Sequence, residues 1–170
     1  AYTSDDLNWT NPSSRVNAEH NDPSFRPAIA GDTKDLSNYD TILLGYPIWW
    51  GEAPNIVWNF VESSDLANKT IIPFCTSSSS GLGSSGETLQ ALSPNADWQN
   101  GQRFSGSVEA ATVRQWALSL NLPSNTTVQP ALDTTPTTPE KRSLVVYFFM
   151  PETADPNNMT QDEAQSTIVI

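Results

Sequence analysis

The chain is poor in the residues that most chemistry at a protein surface uses. A single cysteine, Cys75, excludes an internal disulfide framework and any multi-cysteine metal site. A single histidine, His20, leaves almost no room for histidine-based metal ligation or a nucleophile–histidine triad. Charged residues make up only 16% of the sequence, and Lys+Arg number 8 against Asp+Glu 19, a net charge of −11. That deficit of cations excludes nucleic acid and anionic membrane surfaces as natural partners, because phosphates are repelled. No apolar run approaches the roughly 18 residues of a membrane-spanning helix. No pair of carboxylates stands at a spacing that suggests acid–base hydrolysis. A basic, apolar leader is also lacking, so the chain from Ala1 reads as processed or cut. What is present is enough for one domain: 170 residues, 37% of them hydrophobic, with 13 prolines marking loops or a linker.

Residues 1–38 are polar and broken by Asn11-Pro12, Asp22-Pro23 and Arg26-Pro27, steps that disfavour long helices. One short helix near 13–20 is expected, and Leu7, Trp9, Phe25 and Ile29 would hold the segment to a core. Asp40–Tyr46 is a short run apolar on both faces, the pattern of a buried parallel strand, and Thr70–Cys75 reads the same way despite Pro73. Between them, Ile56, Val57, Phe60 and Val61 repeat at helical spacing within Ala53–Leu66. The result is a β–α–β unit. A helix opening over Glu87–Leu92, a weaker strand over Arg103–Val108 and a helix over Glu109–Leu120 follow. Residues 122–142 hold Pro123, Pro130, Pro136 and Pro139 among threonines and read as an extended linker between a core of residues 1–121 and a C-terminal segment, 143–170. Ser143–Phe149 is the strongest strand. It has no polar alternation, so both its faces need cover, which places it centrally and parallel beside Ile42–Gly45. Ser166–Ile170 is β-prone again. Alternating strands and helices specify an α/β open parallel sheet covered on both faces, with ligands beyond the carboxyl ends of the strands.

Two loops lie at such ends. Tyr46-Pro47-Ile48-Trp49-Trp50-Gly51 carries two adjacent tryptophans that cannot both face inward, and an exposed one is a stacking platform for a flat ligand. Packing of both under residues 1–38 is the competing reading. Thr76-Ser77-Ser78-Ser79-Ser80-Gly81-Leu82-Gly83-Ser84-Ser85-Gly86 runs into a helix and contains Gly81-x-Gly83-x-x-Gly86. As a string this matches the dinucleotide fingerprint, but no acidic residue ends a strand about 20 residues later. A Ser/Gly loop there is still an array of donors for carbonyl or phosphate oxygens. A solvent-exposed flexible loop is its bland alternative. Cys75 reads as a buried, inert thiol and His20 as a solvated side chain in a polar loop.

Asp40–Gly51 followed by Lys69–Gly83, with Tyr2–Thr10 and Asn21–Pro27 upstream, resembles the flavodoxin-like family of bacterial FMN proteins over about residues 1–122. The resemblance implies a five-stranded parallel sheet of order 2-1-3-4-5 with FMN across the strand ends. It implies Tyr46–Gly51 beside the isoalloxazine, with Trp49 or Trp50 against the ring; Gly51 leaves room for close ligand approach, so Trp50 is expected to contribute more than Trp49. Thr76, Ser77, Ser78, Ser80, Gly81 and Gly83 would serve the pyrimidine edge. The family begins with a strand, a phosphate loop, a helix and a second strand. Here the chain starts after these, and Leu144–Phe149 stands at the other end in a circularly permuted order, or as a cut through a tandem. The segment after Phe149, Met150-Pro-Glu-Thr153, is no Ser/Thr/Gly phosphate cradle. The C-terminal strand could complete this sheet or a neighbour's, giving a strand-exchanged homodimer.

Three functions compete. The first is an FMN-binding redox protein, an electron carrier or FMN-dependent oxidoreductase, whose acidic surface would steer it to a basic redox partner. The second is a cofactor-poor interaction module of a tandem protein. The third is carbohydrate or aromatic-ligand binding on the tryptophans. The chain reads as bacterial, and the sequence leaves open whether it is cytoplasmic or exported after processing.

Overall fold

A computed structural model describes residues 2–29, 35–122, 142–148 and 167–169. The expected linker over 122–142 falls almost entirely outside these, as do Phe149 and the Met150–Thr153 segment. The elements in chain order are α1 (Arg15–Asn21), β1 (Thr41–Pro47), α2 (Asn55–Ser63), β2 (Thr70–Thr76), α3 (Ser85–Leu92), β3 (Asp97–Trp98), β4 (Gln102–Phe104), α4 (Ala110–Ser119), β5 (Ser143–Phe148) and β6 (Thr167–Val169). The sheet order is β3-β2-β1-β5-β6, and β4 also pairs with β2.

β1 is buried at every position, as its unbroken apolar run requires. It pairs in parallel with β2, Ile42 opposite Ile71 and Tyr46 opposite Cys75. On its other side it pairs in parallel with β5, Ile42 opposite Leu144 and Leu44 opposite Val146. The strand start is fixed by Asp40. Its amide donates to the Arg142 carbonyl at 2.9 Å, its carboxylate accepts from the Arg142 amide, and its carbonyl accepts from Thr70 at 2.8 Å. One face of the sheet, with Ile42, Leu44, Tyr46, Ile71, Cys75, Leu144 and Val146, packs with Val57, Phe60, Val61 and Leu89 of α2 and α3. On the second face, α4 brings Trp116 onto Phe74 and Phe104, with ring centroids 5.6 and 5.2 Å away.

The sheet departs from the expected five parallel strands in two ways. β6 runs antiparallel to β5, so the sheet is mixed; an antiparallel neighbour needs no crossover helix. The edge beyond β2 is split between β3, paired with Thr70 and Ile71, and β4, paired with Phe74 to Thr76. Pro73 explains the split. Thr70 donates its amide toward β1 and Ser77 donates toward Phe104 of β4, so alternate odd residues face the outer edge. The missing N–H of Pro73 falls there, at the gap between the two short strands. Gly101 fills that gap closely, since a Cβ on it would meet the Pro73 carbonyl oxygen at 2.8 Å. β4 is also shorter than the expected Arg103–Val108 strand. The Ser105 hydroxyl accepts the Ser107 amide and turns the chain away.

Candidate functional site

The loop after β1 closes as a two-residue hairpin. Trp49 and Glu52 exchange both backbone hydrogen bonds at 2.9 Å. Trp50 and Gly51 occupy its tip with φ of 48° and 85°. Positive φ at both central residues is the type I′ geometry. Gly51 adopts it freely, whereas a tryptophan in the left-handed region costs about 1–2 kcal/mol. The hairpin turns the two rings apart. Trp49 is partly buried, edge-on to Tyr2 with centroids 5.9 Å apart. Trp50 is 46% exposed. One face of its ring stacks on His20, at 4.3 Å and 14°. His20 is exposed as expected, but it sits in α1 and not in a loop, and it supports the hairpin tip.

Sequence reasoning missed how the N-terminal segment is anchored. Tyr2 donates its hydroxyl to Glu19 Oε2 at 2.6 Å, and Arg15 Nε donates to Glu19 Oε1 at 2.6 Å, all beside the hairpin. Burial, followed by the bond to Glu19, raises the Tyr2 hydroxyl pKa well above its ordinary value. Asn55, at the start of α2, donates its side-chain amide to the carbonyls of Glu19 and Asp22. A cleft of about 220 Å³ opens here, with Glu19, His20, Trp49, Trp50, Glu52 and Trp58 among its lining residues. None of Thr76–Gly83 lines it. Only the wide spacing of Tyr2, Arg15 and Glu19 from the tryptophans hid this grouping.

The loop after β2 reaches the other flank of the hairpin. Gly83 has φ 58°, and a Cβ on it would lie 2.2 Å from the Gly51 carbonyl oxygen. The two loops therefore touch backbone to backbone, which only glycine permits. Ser84 donates its hydroxyl to Glu52 Oε1, a second tie between them. Glu52 Oε2 is buried without a hydrogen-bond partner among the described residues. Within the loop, Ser77 donates its hydroxyl to the Ser80 carbonyl. Arg103 donates from Nε to Ser77 Oγ at 3.1 Å, and from Nη2 to the carbonyls of Ser77 and Ser78 at 2.6 and 2.8 Å.

The nominated residues thus divide. Trp49, Trp50 and Gly51 belong to the hairpin, and Ile48 leads into it. Ser78, Ser80, Gly81 and Gly83 lie exposed on the facing loop, and Ser77 is buried beneath it. Tyr46 turns its side chain into the core. Its hydroxyl meets Ser85 Oγ at 3.1 Å, and burial pushes its pKa up to about 12. Pro47 and Thr76 end their strands side by side, with the Thr76 carbonyl accepting the Ile48 amide. Cys75 is buried and its thiol is pushed up to about 11, burial outweighing the opposing pull of Arg103. No cluster among the described residues could hold a metal ion, and no described helix is long and apolar enough to cross a membrane.

Comparison with known proteins agrees with this frame. The family model described as flavodoxin matches residues 1–120. The chain belongs to the flavodoxin family. Among solved structures it is similar to a candidate flavoprotein from Bacteroides uniformis, 42% identical, with a TM-score of 0.64 over 69% of this chain and 74% of that one. A candidate flavoprotein from Bacteroides eggerthii is 38% identical, with a TM-score of 0.63 over 71% of this chain and 76% of that one. A flavoprotein from Lactobacillus acidophilus, solved in complex with FMN, is 20% identical with a TM-score of 0.40, covering 51% and 54% of the two chains. No curated protein matches the chain.

Proposed function

We propose that this member of the flavodoxin family binds FMN at the carboxyl ends of β1 and β2 and works as a redox protein. The observation that carries the reading is the junction of the two loops. An exposed indole on a strained hairpin stands beside an exposed Ser/Gly loop, with Gly83 pressed on Gly51. The donor set suits a flat ligand rich in acceptors. Ser79 and Gly81 are exposed on that loop, where their amides can serve such a ligand. On this reading the ring lies between Trp50 and the 76–83 loop, with the amides on its pyrimidine edge. The flavin supplies the electron or hydride chemistry, and the protein supplies position, stacking and exclusion of water. The acidic surface steers basic redox partners toward it.

β5 completes the centre of the sheet beside β1, the place of a first strand in a permuted or tandem-derived order. The sequence that follows it, Met150-Pro-Glu-Thr153, is acidic and is no Ser/Thr/Gly phosphate cradle. Losing about four charge-assisted hydrogen bonds, each roughly 1.5–3 kcal/mol, costs on the order of 6 kcal/mol or more. That moves a nanomolar site to about tens of micromolar. Titration of the chain with FMN and with riboflavin, followed by flavin fluorescence, tests both statements. The expected result is binding of both at similar micromolar strength. No binding of either flavin would refute the proposed function and favour the interaction-module reading. Nanomolar FMN with strong preference over riboflavin would refute the phosphate account alone.

A further inference from the structure

We infer that Arg103 is a positioning residue that shapes the 77–80 loop for the flavin and sets the charge behind it; this rests on the FMN reading above. Arg103 stands opposite Cys75 in the β4–β2 pairing, so its long side chain extends along the sheet toward the loop that follows β2. Its fork of donors takes Ser77 Oγ and the carbonyls of Ser77 and Ser78. The Ser77 hydroxyl takes the Ser80 carbonyl in turn. Three carbonyls of one short loop are therefore engaged, those of Ser77 and Ser78 by the planar guanidinium and that of Ser80 by the Ser77 hydroxyl. Ser79 and Gly81 lie exposed in and beside the same loop, so on the FMN reading their amides are the donors offered to the ring. A loop of four serines thus has three of its carbonyls already engaged, which leaves amides rather than carbonyls for a ligand. That polarity accepts the carbonyl oxygens of a ligand ring and rejects donors.

The charge is the second part. The ion pairs among the described residues are Arg15–Glu19 and Arg26–Glu62. Among the described residues Arg103 meets hydroxyl and carbonyl oxygens and no carboxylate, so it sets a positive charge behind the loop, in a chain of net charge −11. A reduced flavin is more electron-rich than an oxidised one, and a nearby cation favours the reduced form. Arg103 therefore raises the potential of a flavin held on this loop.

Arg103→Gln and Arg103→Lys separate the two effects. Three readouts are used: protection from hydrogen exchange in the apoprotein of the Ser77 amide, which donates to the Phe104 carbonyl, FMN affinity, and the midpoint potential of the bound flavin. Arg103→Gln should lose loop protection about tenfold or more, weaken FMN by about 10- to 100-fold and lower the potential. Arg103→Lys keeps the charge without the fork. It should recover the potential while leaving the loop unprotected and the affinity reduced. Wild-type protection and affinity in both variants would overturn the inference. So would a potential that does not follow the charge. If the wild-type chain binds no flavin yet Arg103→Gln still loses protection, the FMN reading falls while the ordering of the loop by Arg103 stands.

Discussion

Replacing Gly83 by alanine tests the loop junction on which the site depends. The added Cβ would lie 2.2 Å from the Gly51 carbonyl oxygen, 3.2 Å from its carbon and 3.5 Å from its Cα. All three neighbours are backbone, so no flexible side chain can swing aside. The positive φ of 58° adds left-handed strain of about 1 kcal/mol. Relieving the overlap takes a backbone shift that, like other overpacking, costs about 1–3 kcal/mol. The sum is about 2–4 kcal/mol. Two neighbours calibrate it. Gly51→Ala meets no atom within 4 Å but has φ 85°, so only strain of about 1 kcal/mol remains. Gly81→Ala meets nothing within 4 Å and has no positive φ to strain, so it should be neutral to slightly stabilising. Equilibrium denaturation should order the three variants as Gly81→Ala, Gly51→Ala, Gly83→Ala, from most to least stable. Each kcal/mol moves the melting temperature of a chain this size by about 2–4 °C. Flavin affinity should fall for Gly83→Ala because the loop leaves the hairpin. Equal stability for Gly83→Ala and Gly81→Ala would refute the junction.

Trp50→Ala should weaken flavin binding about tenfold with little loss of stability, because the ring is half exposed; unchanged affinity in both Trp49→Ala and Trp50→Ala would refute the stacking platform. Tyr2→Phe removes the hydroxyl that donates to buried Glu19 Oε2 and should cost about 1–3 kcal/mol in chemical denaturation, a loss that an undisturbed midpoint would contradict. Base should unfold the protein in a defined window. Cys75 rises from 9.0 to about 11 and Tyr46 from 10.0 to about 12, so above pH 9 the unfolded state loses protons that the folded state keeps. The stability these groups confer is full below their unfolded values and falls as pH rises through the folded ones, and Cys75→Ala with Tyr46→Phe should flatten that fall in a pH series of melting curves.

Local pattern settled the elements whose burial is complete. β1 and β5 are apolar at successive positions, so neither tolerates an exposed face, and their central, parallel placement follows from that need. The apolar spacing of Ile56 to Val61 likewise fixed α2 and the side it presents to the core. The Trp-Trp-Gly run and the Ser/Gly run were legible as loops beyond the strand ends because neither composition continues a buried strand. Long-range geometry decided the rest. Pro73 splits the sheet edge only because its missing N–H faces outward, a parity set by pairing with β1. Tyr46 sits within a loop motif yet points inward, since strand alternation carries one residue past the apparent end. The hairpin at Trp49–Glu52 places His20 under Trp50 across 30 positions of sequence, and no local signal links them. Gly83 could be recognised as a glycine in a loop, but that it must be glycine depends on the Gly51 backbone beside it. Arg103 reads in the sequence as an ordinary strand residue. Its pairing opposite Cys75 alone brings the guanidinium to the 77–80 loop, because contacts between separate strands are made by packing and hydrogen-bond register, which a linear pattern does not encode.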